Sequence, residues 1–170
     1  SKVVWSEGMY VGPHHFQAQN RYFEDFVHFA TTSLWYEPYG YTGYEMDNEA
    51  LRNGTVALVH ARGLLPDGLA FHMPEFDPLP EARNILRAFP PTAESVDVLL
   101  AVAPHTPAGP NCALSEEARN PGVRYIASEA SLPDDNTGGD EKPVRLGRKN
   151  LRLVLSTESL EGQVVLPLAR

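Results

Sequence analysis

Asn53-Gly54-Thr55-Val56-Ala57-Leu58-Val59-His60-Ala61-Arg62-Gly63-Leu64-Leu65-Pro66-Asp67-Gly68-Leu69-Ala70-Phe71-His72-Met73 is the stretch that decides the fold class. Asn53-Gly54 and Pro66-Asp67-Gly68 are tight-turn signals that bracket Thr55 to Leu65, and the second joins this run to Leu69 to Met73 as a hairpin. Downstream, Ser95 to Ala103 alternates Val96, Val98, Leu100 and Val102 against Asp97, Leu99 and Ala101. So few polar residues mark a central strand buried on both faces. Upstream, Tyr39 to Tyr44 has the aromatic and β-branched content of a strand with mixed faces. Arg124 to Leu132, Val144 to Ser156 and Gln163 to Leu168 bring the set to seven or more strands, which is what a sandwich requires. The expectation is a mainly β chain, a β-sandwich preceded by an N-terminal α-helix.

That helix is announced by Val4-Trp5-Ser6-Glu7-Gly8-Met9-Tyr10-Val11-Gly12-Pro13-His14-His15-Phe16-Gln17. Pro13 suits the first helical position, where its missing N–H costs nothing. The helix is expected from Pro13 to about Ser33, within an arm-plus-helix region of about residues 1–34. Phe16, Phe23, Val27, Ala30 and Leu34 recur at helical spacing, widened by Tyr22, Phe26 and Phe29, while Gln17, Arg21, Glu24, Asp25 and His28 take the other side. Such a stripe needs a covering surface, a sheet or another subunit. Termini are poorly ordered unless tied down, so Trp5, Met9 and Phe16 read as anchors of the arm, with Glu7 expected to cap nearby backbone N–H groups.

Length and composition bound the remaining possibilities. The 170 residues, 42% hydrophobic and 21% charged, suit one domain with a sizeable core, and fifteen prolines with thirteen glycines favour a turn-rich β architecture. A net charge of -8 argues against a general nucleic-acid binder, which needs a basic face to displace counterions. Cys112 is the single cysteine, so neither an intrachain disulfide nor a cysteine zinc site can form, and a reducing compartment is the simpler setting. The longest apolar run, Val98 to Ala103, falls far short of the ~20 residues a membrane helix needs. Beginning at Ser1 without a Met and stopping just after Val164-Val165-Leu166-Pro167-Leu168, the chain reads as a piece of a longer protein.

Motifs that carry chemistry are few. Adjacent His14 and His15 point about 100° apart on a helix and do not converge on one ion with Glu7; one is expected to pack or cap at the helix start. His60, His72 and His105 show no metal-ligand spacing. No G-x-S-x-G elbow, activated thiol context or phosphate-cradling glycine pattern is present. Glu116-Glu117 and Asp134-Asp135 lie on segments expected to be solvated, where general acid work lacks the burial it needs. No cofactor is expected.

Charge is patterned near the end. Glu129 to Glu141 carries only acidic charges, whereas Lys142, Arg145, Arg148, Lys149 and Arg152 follow with no acidic residue between them. The acidic loop from Asp134 to Glu141 is expected to be exposed and mobile. The basic run reads either as a strand edge protected against aggregation or as an electrostatic docking strip for a protein partner, formed by Arg145, Arg148, Lys149 and Arg152.

Trp5-Ser6-Glu7-Gly8-Met9, then Pro13, then His15-Phe16-Gln17 closely resembles the opening signature of the TssK family, the type VI secretion baseplate subunits. Arg21-Tyr22-Phe23-Glu24, Pro38-Tyr39-Gly40, Ala61-Arg62-Gly63, Leu65-Pro66-Asp67-Gly68, Leu146-Gly147-Arg148 and Asn150-Leu151-Arg152-Leu153 continue the resemblance in order. It implies a non-enzymatic, cytoplasmic assembly protein at the inner face of the bacterial inner membrane. Residues 1–170 would form its N-terminal β-sandwich, similar to the shoulder domain of siphophage receptor-binding proteins, with a helical neck and a head lying outside this chain. The implied partners are the TssF and TssG wedge proteins and further copies in a homotrimer, with TssL and TssM reached only through the missing C-terminal region. Neither nucleic acid binding nor membrane insertion is implied. The assembly or anchor residues would be Trp5, Glu7, Met9, Pro13, His15, Phe16 and Phe23. Two other classes stay open on the residues alone: a carbohydrate-binding β-sandwich using Tyr41, Tyr44 and Trp35, and, more weakly, a hydrolase.

Overall fold

The computed structural model describes residues 2–86, 88 and 94–170. The end of the proline-rich stretch expected between Met73 and Pro91 lies partly outside them. The chain divides into two compact units, Ser1–Tyr39 and Gly40–Arg170.

The first unit is the arm and one long helix, α1 (Pro13–Leu34). Pro13 does occupy its first turn, and the N-cap is Gly12. Because Gly12 has no side chain to accept from the first turn, the sequence supplies the reverse contact: the Gly12 N–H donates to His15 Nδ1 at 3.1 Å, while the His15 N–H donates to the Gly12 carbonyl at 3.1 Å. The helix ends where the Thr31 and Thr32 hydroxyls turn back onto the carbonyls of residues 27–29 and Pro38 forbids continuation. No residue of α1 is buried.

The second unit holds β1 (Gly40–Met46), α2 (Asn48–Arg52), β2 (Thr55–Val56), β3 (Leu58–Leu64), β4 (Ala70–Met73), β5 (Arg83–Asn84), β6 (Val98–Val102), β7 (Cys112–Ala113), β8 (Tyr125–Leu132), β9 (Lys142–Lys149), β10 (Arg152–Leu155) and β11 (Val164–Ala169). The short α2, absent from the sequence-based expectation, is nucleated by Asp47, whose carboxylate accepts from the Glu49 and Ala50 N–H groups. The expected hairpin is present as β3–β4, with Leu64 opposite Ala70 and Ala61 opposite Met73. In its turn the Gly68 N–H donates to the Leu65 carbonyl, and Gly68 takes the positive φ of 83° that a glycine tolerates.

Two sheets face each other. One is β1-β3-β4, the other β10-β6-β11, and a single apolar core joins them: Leu58, Ala61, Phe71 and Met73 from the first meet Val98, Leu100, Leu153, Leu155 and Leu166 from the second. The chain is therefore a mainly β sandwich with one principal helix. As expected, β6 is central and buried at all five positions. Leu100 and its even neighbours enter the main core, whereas Leu99 and Ala101 pack with Val154 on the far face. Pro167 is admissible in β11 because that strand is an edge.

Strict alternation would not bury both Leu58 and Ala61, which are an odd number of residues apart. The β1–β3 register resolves this: Glu45 pairs with His60 and Met46 with Leu58, so Val59 is an extra residue that resets the faces. A second irregularity between Tyr41 and Gly43 does the same on β1. Beside it Gly63 lies so close to β1 that a methyl group there would stand 2.1 Å from the Gly40 carbonyl oxygen and 2.9 Å from Phe71 Cζ. Gly63→Ala is therefore expected to cost about 1–3 kcal/mol through forced backbone displacement; an unshifted urea midpoint would contradict this contact.

The expected single strand from Val144 to Ser156 is in fact two strands in different sheets, β9 paired with β8 and β10 paired with β6. Asn150 makes the corner. It is buried, its N–H donates to the Arg124 carbonyl, and its side-chain amide donates to the Asn120 and Val123 carbonyls at 3.0 and 2.9 Å. These bonds to the 119–124 loop replace a continuing ladder. The acidic loop between β8 and β9 is exposed as expected and is organised by Asp134, which accepts from the Asn136 and Thr137 N–H groups and is held below the usual carboxylate range by them.

Candidate assembly site

Of the expected anchor residues, Trp5, His15 and Phe16 come together at the start of α1. The Trp5 ring lies 6.1 Å from both the His15 and Phe16 rings, and its indole N–H donates to Gln19 Oε1 at 3.1 Å. Residues 15, 16 and 19 share one side of the helix, so the arm folds back along α1. Met9 Sδ accepts from the Ser6 N–H at 3.3 Å and tightens the turn ahead of it. His15 is the histidine that caps the helix start, because the first-turn position three residues after the N-cap is the one that can reach back. Phe23 is edge-on to Tyr22 at 5.7 Å and remains half exposed. With Phe16, Phe26, Val27, Phe29 and Leu34, it forms an apolar face left open to solvent, the kind of surface that marks an interaction site.

The basic run is dispersed. Arg145 and Arg148 lie on β9, exposed at all positions but its last, and approach Glu129 at 3.5 Å and Glu116 at 3.4 Å. Lys149 is inward-turned: its ammonium meets both oxygens of buried Asp77 at 2.8 and 3.0 Å. The other bonds of Asp77 are to the His72 backbone N–H and carbonyl, so Lys149 pins β9 to the β4 hairpin arm. Arg152, past the Asn150 corner, belongs to β10 and stands in another sheet.

Three arginines, Arg124, Arg119 and Arg83, hold this region. Arg124, itself buried, forms an ion pair with Asp67 Oδ2 at 2.7 Å and donates to the Ala103 carbonyl at 2.8 Å. It thereby ties the β3–β4 turn to the end of β6 and the start of β8. Arg119 donates to Glu81, Glu116 and Asn150 Oδ1 at 2.8, 3.0 and 3.2 Å. Arg83 pairs with Glu158. The only advance signal was the i,i+3 spacing of Glu116 and Arg119; the other partners are far apart in sequence.

Other candidate sites dissolve into structure. His60 lies 3.6 Å from Glu45 across β1–β3, and His72 pairs with Glu75 and stacks edge-on with Phe76. Among the described residues no group of three or more His, Cys, Asp or Glu side chains is placed to hold a metal ion. Tyr41 is drawn into the sandwich: its ring meets Phe71 and Tyr44, its hydroxyl reaches the Leu166 carbonyl at 3.4 Å, and burial pushes its phenol well above the ordinary range. That ring faces the core rather than a glycan. No helix among the described residues is long and apolar enough to cross a membrane.

The second unit is a β-sandwich, the first carries an aromatic face on α1, and the relatives of this chain are type VI secretion proteins. The chain belongs to the bacterial type VI secretion family described by VC_A0110, EvfL, ImpJ and VasE, whose profile matches residues 15–170. It is 32% identical, over its whole length, to the type VI secretion system baseplate component TssK1 of Pseudomonas aeruginosa and spans 37% of that protein. A crystal structure of TssK superposes with a TM-score of 0.85 at 27% identity, covering 99% of this chain and 39% of the other. The same fold occurs in a chain of the TssK-TssF-TssG baseplate subcomplex, with a TM-score of 0.84 at 20% identity over 98% of this chain and 55% of that one.

Proposed function

We propose that this chain is the N-terminal β-sandwich domain of a type VI secretion baseplate subunit, a structural and non-enzymatic part that docks onto TssF and TssG homologues. The observation that carries the reading is agreement over the whole chain, in sequence with a baseplate component and in fold with TssK. In this reading the subunit works as a homotrimer at the cytoplasmic face of the inner membrane, and contact with TssL and TssM belongs to regions outside this chain. Trp5, Glu7, Met9, Pro13, His15, Phe16 and Phe23 then shape the arm and the apolar face of α1 that a neighbouring subunit or wedge protein covers. Arg145 and Arg148, exposed on β9, supply docking cations, whereas Lys149 acts by holding that strand against Asp77.

The test is capture of the TssF and TssG homologues by the purified chain, together with its mass in solution. Capture is expected, and Arg145→Glu with Arg148→Glu should weaken it more at low than at high salt, because exposed charges are screened over about 8 Å at physiological ionic strength. Failure of the unmodified chain to retain either wedge protein would overturn the docking role.

A further inference from the structure

Beside the Asn150 corner an open cavity of about 350 Å³ is lined by three arginines, Arg83, Arg119 and Arg152, by the carboxylates Glu81 and Glu158, and by Pro121 and Val154 on its apolar side. Two of its three guanidinium groups are neutralised within the chain, Arg83 by Glu158 and Arg119 by Glu81 and Glu116. Arg152 is not. Among the described residues its side chain bonds only Gln163, from Nη2 to the neutral Oε1 at 2.7 Å, and its buried Nε has no hydrogen-bond partner. Burial, followed by the charges of Arg119 and Arg83, pushes the Arg152 guanidinium below its ordinary value. A partly desolvated cation beside two others gains most from an anion that accepts from its planar fork. The omission is notable in a chain whose acidic residues outnumber its basic ones by 22 to 14.

The geometry points to a receptor for a carboxylate on a short aliphatic stem, the glutamate or aspartate side chain of a protein partner, with Arg152 as the principal cation and Arg119 and Arg83 beside it. The apolar wall of Pro121 and Val154 suits the stem, and the guanidinium groups suit the head. Charge complementarity selects this occupant, and choosing a protein source rests on the assembly role proposed above. The Asn150 corner builds the site, since it moves Arg152 away from β9 and accepts from Arg119 Nε.

The experiment is an NMR titration of the ¹⁵N-labelled chain with N-acetyl-glutamate methylamide at constant ionic strength, reading the Arg152 Nε–Hε and Leu153 backbone signals. A saturable shift is expected, with none from the glutamine analogue. Arg152→Gln should weaken binding by about tenfold, and Glu158→Gln, which releases Arg83, should strengthen it several-fold. No saturable shift, an equal response to the glutamine analogue, tighter binding of inorganic phosphate, or undiminished affinity in a natively folded Arg152→Gln variant would each overturn the assignment. No wedge protein is present in this titration, so a negative result here leaves the baseplate reading to its own capture test.

Discussion

Asp67→Ala is expected to destabilise the sandwich by about 3–5 kcal/mol, the loss that follows when one partner of a buried ion pair is removed and the other charge stays inside. Among the described residues Asp67 is the only carboxylate paired with Arg124, whose side chain is 7% exposed, and the remaining acceptor of that guanidinium would be the neutral Ala103 carbonyl. The same substitution removes the acceptor of the Leu69 N–H at 3.2 Å and so loosens the β3–β4 turn. Urea unfolding measures the loss. The double variant Asp67→Ala/Arg124→Met should recover much of it, because an apolar replacement leaves no charge to solvate. A single-variant loss below about 1 kcal/mol, or a double variant no better than the sum of the two singles, would show that the pair is not coupled as described.

Leu100→Ala should cost about 2–5 kcal/mol, lowering the melting temperature by roughly 4–20 °C in a chain of this size. Leu100 is fully buried and paired on both sides, with Leu153 of β10 and Leu166 of β11. With strand backbone on either flank and the β1-β3-β4 sheet across the core, the cavity cannot collapse cheaply. Leu99→Ala, one residue away on the far face, is the internal control. Among the described residues its cluster holds Leu99, Ala101 and Val154 as buried members, with half-buried Leu160 and Val165 around them. Its cost should be smaller, since neighbours at a thin layer can relax into the space. Equal losses at the two positions would mean that the two faces of β6 are equally well packed.

Much of this molecule was legible residue by residue. The β3–β4 hairpin follows from Asn53-Gly54 and Pro66-Asp67-Gly68, because turn chemistry acts over three or four residues and needs no distant partner. The helix from Pro13 follows from a proline start and a 3.6-residue stripe, and it ends one residue beyond the expected position. The central place of β6 follows from its apolarity on both faces. The family resemblance was legible through the Trp5 to Gln17 signature, and one of the two adjacent histidines, His15, makes the cap expected at the helix start.

What stayed hidden depends on partners remote in the chain. Val59 reads as an ordinary strand residue, and it becomes a bulge because Leu58 and Ala61 must both reach one core. Lys142 to Arg152 reads as one basic strip, and it is divided because Asn150 finds better acceptors in the Asn120 and Val123 carbonyls than in a continuing ladder. Local propensity and periodicity thus specified the elements and their buried faces. The meeting of Asp67 with Arg124, of Asp77 with Lys149, and of Arg83, Arg119 and Arg152 around one cleft came only with folding. A charge carries no periodic signature, and its partner is chosen by which loops the packed sheets bring within hydrogen-bond reach.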